Sequence, residues 1–173
     1  MNALLDLTER PGWLGAGAAG LAAAALAAAY YFEHVVGLAP CTLCLYQRIP
    51  WWIVLGLGSL AILGRRMPVL ATTALGLAAL ALLGNAGLAG YHVGVEQGWW
   101  AGPAGCSADA LPQSLGALNQ ALAGPPAPRC DEASWTLFGL SMPAYNMLLS
   151  LGGALAVAWA MRRAGDRAAL RRV

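Results

Sequence analysis

Residues 13–32 read WLGAGAAGLAAAALAAAYYF, twenty in a row without a charge. As a helix such a run is ~30 Å long, which matches the hydrocarbon core of a bilayer. Charge-free runs recur at Val69–Tyr91 and Pro143–Met161. A shorter run, Ile49–Leu63, reaches spanning length only if its helix starts near Thr42, with Arg48 at its outer end. The expectation is an all-α integral membrane protein: a bundle of four transmembrane helices at about 13–32, 42–63, 69–91 and 143–161. The whole chain, 1–173, then forms one membrane domain with long loops at about 33–48 and 92–142.

Composition says the same. Hydrophobic residues make up 59% of the chain and charged residues 10%, with a mean hydropathy of +0.60. A soluble domain needs about 25% charge to coat its surface, and a disordered chain needs low hydrophobicity, so both classes are excluded. A net charge of +2 is too small for a nucleic-acid binder.

Arginine placement gives the orientation. With both termini on one side, that side carries eight Arg against Asp6, Glu9 and Asp166. The other side carries Arg48 and Arg129 against five acids. The arginine-rich side is expected in the cytoplasm and the two long loops outside. A cleaved leader is the rival reading of the first run, with Ala27-Ala28-Ala29 near a cleavage point. Twenty residues, however, exceed the usual apolar core of a leader. In the second loop, Leu111, Leu115, Leu118 and Leu122 recur at helical spacing behind Asp109, which reads as a short amphipathic helix on the membrane surface. Trp99, Trp100, Trp135 and Phe138 are expected at headgroup level.

All four cysteines fall in the outer loops: Cys41 and Cys44 in the first, Cys106 and Cys130 in the second. Thiols outside a bacterial-type membrane meet an oxidising compartment. Three readings stand: two structural disulfides, a zinc site, or a relay of two redox pairs. A Cys41-Thr42-Leu43-Cys44 ring closes too small a loop to stabilise much, and opens and recloses readily. Zinc sites pair closer cysteines than Cys106 and Cys130, and neither His34 nor His92 has ligand spacing to a cysteine, so no metal is expected. The relay fits best. If a helix opens at Pro40, then Cys41, Cys44 and Arg48 share one face, where the helix N-terminus and a guanidinium favour thiolate. A snorkelling interfacial arginine is the plainer reading of Arg48.

Phe32-Glu33-His34-Val35 followed by Pro40-Cys41-Thr42-Leu43-Cys44-Leu45-Tyr46-Gln47-Arg48 resembles the signature of the bacterial disulfide bond formation protein B (DsbB) family. Tyr91-His92-Val93-Gly94-Val95-Glu96, the second cysteine pair and Gly139-Leu140-Ser141-Met142-Pro143 extend the likeness over nearly the whole chain. The resemblance implies a quinone-dependent thiol oxidase of the inner membrane, with ubiquinone or menaquinone as cofactor and a periplasmic DsbA-like thioredoxin-fold protein as partner. It implies that Cys106 takes the partner's thiolate, that Cys130 exchanges with Cys41, and that Cys44 is left as the thiolate facing quinone. Arg48 would hold the quinone. The likeness also places His92 near it, against a plainer reading as an interfacial histidine bonded to Glu96 or backbone. Trp51 and Trp52 could line the cavity or simply pack, and Gln47 receives no role. The rivals are a membrane scaffold with structural disulfides and a quinone reductase of the vitamin K epoxide reductase type. In the latter family the C-x-x-C motif follows the loop cysteines, whereas here it precedes them.

Overall fold

The computed structural model describes residues 11–103, 106, 114–116, 119 and 128–170, without the side chains of 167–169. Among the described residues are four long helices and one small hairpin: α1 (Pro11–His34), α2 (Thr42–Leu63), α3 (Pro68–Glu96), β1 (Thr136–Leu137), β2 (Leu140–Ser141) and α4 (Met142–Leu170). Each of the four expected spans lies inside one of these helices. Three of them, α1, α3 and α4 as far as Asp166, are long and apolar enough to cross a membrane. The outer turns of α2 carry Tyr46, Gln47, Arg48 and Pro50, which dilute its apolar character. Of the surface helix expected at 111–122, only Leu115 and its neighbours at 114, 116 and 119 are described; Asp109, Leu111, Leu118 and Leu122 lie outside the described residues.

Local chemistry sets the helix starts. Proline opens α3, where its missing N–H costs nothing. Cys41 caps α2 in an extended conformation, its sulfur accepting the Cys44 N–H at 3.2 Å. Pro50 sits inside α2 and removes one donor from the helix ladder. The hairpin turns through Phe138 and Gly139, both at positive φ, which suits a tight two-residue turn.

The packing is inverted relative to a soluble bundle. Val69, Leu80 and Leu155 point outward, while Gln47, Asn85, His92 and Ser150 are buried. That distribution suits lipid on the outside, where polar groups must find partners within the protein. Neighbours in sequence are neighbours in space: α1 packs on α2, α2 on α3, and α3 on α4. Small residues permit a close approach between α1 and α2. A Cβ on Gly15 would lie 2.7 Å from the Gly58 carbonyl oxygen, so the two backbones touch. Further along, Trp51, Val54, Leu26 and Leu82 form the middle of the core, and Cys41, Leu43, Val95, Cys106 and Cys130 close its outer end.

Candidate redox site

The outer cluster unites both cysteine pairs. Cys106 and Cys130 are joined by a disulfide with Cα atoms 4.9 Å apart, and both are buried, at 1% and 0% exposure. Their segments are tied by the Cys130 N–H bonded to the Cys106 carbonyl at 2.8 Å, and the Cys106 N–H to that of Pro103 at 3.0 Å. Cys41 and Cys44 are unbonded, their sulfurs 2.7 Å apart. These four cysteines pack with Leu43, Val95 and Leu88 as one apolar group.

Polar groups converge on Cys41. Besides the Cys44 thiol and backbone N–H, His92 Nε2 lies 3.7 Å from its sulfur. The hydrogen bond from the Cys44 thiol, opposed by burial and aided by His92 and the Cys44 N–H, holds the Cys41 thiol down to about 5. The expectation had placed this favour on Cys44. The cap position explains the difference, because the free N–H groups of a helix's first turn point at the capping side chain.

His92 is also placed differently from its plainer reading. α3 continues past Tyr91 to Glu96, so His92 lies within the bundle at 2% exposure. It bonds Gln47, with Gln47 Nε2 2.7 Å from His92 Nδ1, whereas Glu96 accepts from Ser141. The ligating atoms of Cys41, Cys44 and His92 all lie within 4.8 Å of one another. Spacing along the chain had separated this histidine from the cysteines, and the fold corrects that.

Arg48 is anchored from α1 rather than snorkelling. It donates to Glu33 at 2.5 Å and lies over the Tyr30 ring, 4.8 Å from its centroid. Glu33 therefore offsets part of the charge that Arg48 presents. Cys41, Cys44 and Arg48 all border a cavity of about 360 Å³ with mostly apolar walls, including Leu26, Phe32, Leu149 and Trp51. Trp52 points away and is exposed. Trp135 lines the cavity with its ring centroid 5.0 Å from that of Phe32. Trp99 and Phe138 are exposed.

Residues 10–160 match the family profile of the disulfide bond formation protein DsbB. The chain belongs to the DsbB family. It is 32% identical to disulfide bond formation protein B of Stutzerimonas stutzeri over 80% of this chain and 86% of that protein. It is 37% identical to the Methylococcus capsulatus protein of that name, over 75% of this chain and 81% of the relative. The Acinetobacter baumannii protein is 32% identical, covering 78% and 81%. No solved structure matches the chain.

Sequence reasoning passed over Gln47, Asn146, Asn85 and Ser150, all buried or half-buried beneath the cysteines. The available signal was an amide or hydroxyl inside a charge-free apolar run, which in a membrane helix marks a partnered polar site.

Proposed function

We propose that this chain is a quinone-dependent thiol oxidase that reoxidises a periplasmic DsbA-like thioredoxin-fold protein and passes the electrons to membrane ubiquinone or menaquinone. The observation that carries it is the sharing of one buried cluster by two cysteine pairs, one of them opening on an apolar cavity. In this reading α2 is the fourth span and the chain is a single domain of the inner membrane. Both termini are cytoplasmic and the cysteines lie at the periplasmic end.

The partner's thiolate attacks Cys106, forming a mixed disulfide as the Cys106–Cys130 bond breaks, with its electron pair left on Cys130. Because both sulfurs are buried, this segment must first move aside. The partner's second thiol then displaces Cys106, and the partner leaves oxidised. Cys130 attacks Cys41 of a Cys41–Cys44 disulfide, and Cys44 departs as thiolate. Closure of Cys106 onto Cys130 releases Cys41, so the two electrons end on the inner pair. A bound quinone supplies the acceptor of two electrons and two protons. The residues present fit such a group: apolar walls for a ring, Arg48 to donate to a carbonyl oxygen, and both inner cysteines at the border.

The experiment is quinone reduction by purified protein with the partner's reduced form in excess. Loss of quinone absorbance that depends on all four cysteines is expected. Thiols that reoxidise no faster when quinone is added would return the chain to a scaffold.

A further inference from the structure

Beneath the inner cysteine pair, hydrogen bonds run from α4 through α2 to α3. The Trp51 indole donates to Asn146 Oδ1 at 2.8 Å, and Asn146 Nδ2 donates to Gln47 Oε1. Gln47 Nε2 faces His92 Nδ1 at 2.7 Å, and His92 Nε2 faces the Cys41 sulfur. Trp51, Gln47 and His92 are buried on the wall of the cavity, where a wrongly turned group costs more than at an exposed site.

The direction of the chain follows from its far end. An indole nitrogen can only donate. Asn146 must therefore turn its oxygen to Trp51 and its NH2 to Gln47. Gln47 in turn directs its oxygen to Asn146 and its NH2 to His92. His92 Nδ1 is left to accept, and the ring proton resides on Nε2, on the cysteine side. Asn146 is the nearer acceptor for the indole, at 2.8 Å; an Asn85 amide turned to bring its oxygen within 3.1 Å of the indole would also set that oxygen 3.2 Å from the Asn146 oxygen, whereas its NH2 in that place donates to Asn146 Oδ1.

We propose that Trp51, Asn146 and Gln47 are positioning residues that fix His92 as its Nε2–H tautomer, making the ring a hydrogen-bond donor to Cys41 and not the base that deprotonates it. Whenever a disulfide to Cys41 is cleaved with the electron pair left on Cys41, a neutral donor already faces the new charge. Such a donor needs no reorganisation as the charge develops and adds no net charge to the bundle interior. This meaning for catalysis rests on the oxidase reading above, but the tautomer itself does not.

The test is nitrogen NMR of imidazole-labelled protein in lipid nanodiscs at pH 8, with the His34 signal identified by His34→Asn. His92 is expected to carry its proton on Nε2. Gln47→Glu replaces the donor at Nδ1 with an acceptor and is expected to move the proton to Nδ1. Trp51→Phe frees the Asn146 amide and is expected to give a mixture of tautomers. A wild-type ring protonated on Nδ1 overturns the proposal, as does an unchanged tautomer in Gln47→Glu. Should that variant not fold, the wild-type and Trp51→Phe spectra decide. An Nε2–H ring in a protein that does not reduce quinone would count against the oxidase reading and leave this inference standing.

Discussion

The two cysteine pairs share one buried cluster but are held in opposite ways. Cys41 and Cys44 stand at the start of a 22-residue helix, with the Cys44 backbone N–H donating to the Cys41 sulfur and the His92 ring facing it. Cys106 and Cys130 lie outside the long helices, joined by their disulfide and by short loop hydrogen bonds. Electronic tuning thus belongs to the pair fixed by a helix; in the proposed relay, meeting another protein would fall to the pair held by loops. A relay needs both properties, and one pair could not supply them together: tuning depends on fixed donors, and access depends on movement.

Separating the pairs is the strongest challenge to that contrast. Cys106→Ser should reduce partner-driven quinone reduction to background. The same variant should retain quinone reduction driven by a small dithiol, which needs no loop to dock. Cys44→Ser should lose both. If the small dithiol also fails with Cys106→Ser, the inner pair is not independently reachable, and the division of labour is wrong.

Arg48→Met keeps the stem and removes the fork. A hydrogen bond to a charged donor contributes ~1.5–3 kcal/mol, so the quinone KM should rise by about tenfold or more, with single-turnover exchange at Cys106 unchanged. Arg48→Lys should recover only part of the loss, because an ammonium does not reproduce the planar fork. An unaltered KM would mean that the ion pair with Glu33 is the whole role of Arg48.

The pH profile tests the tuning directly. The Cys41 thiol is held down to about 5 from its ordinary 9.0, and a Cys106→Ser, Cys130→Ser background removes the competing outer thiols. The thiolate is then present above that pH and lost as pH falls through it. Alkylation of Cys41 should stay nearly flat from pH 9 down to about 6 and fall by about half near 5, as one-proton titration requires. A rate already declining below pH 9 would show that the cap donors do not act on this sulfur.

The smallest effect on chemistry is expected at the opposite end of the bundle. Gly58→Val forces a side chain against the α1 backbone at Gly15 and Ala19. Overpacking of this kind costs ~1–3 kcal/mol, so thermal stability should fall while the residual folded protein keeps its quinone KM.

Much of this was legible beforehand. The helices followed from apolar runs, and the proline and cysteine at the start of α2 fixed where its sulfurs would stand. The family signature was local and survived intact. What could not be read was contact between distant segments. His92 and Cys41 are 51 residues apart, and Arg48 and Glu33 are 15 apart on different helices. Periodicity says which face of a helix is apolar, but it does not say which neighbour that face meets. Gln47 gives no local sign of its partners, since a single glutamine near a helix end is equally compatible with a solvent-facing position. Its burial became evident only once α3 and α4 closed over it.

Where Gly15 meets Gly58, neither helix has a side chain that can yield. Their separation is set by atomic radii and not by the choice of neighbours. Drift among the alanines around that point can change how much surface is covered, but it cannot change the gap. Glu33 and Arg48 stand far up the same pair of helices, so a side chain that wedged the two apart at Gly15 or Gly58 would ask a longer reach of the guanidinium.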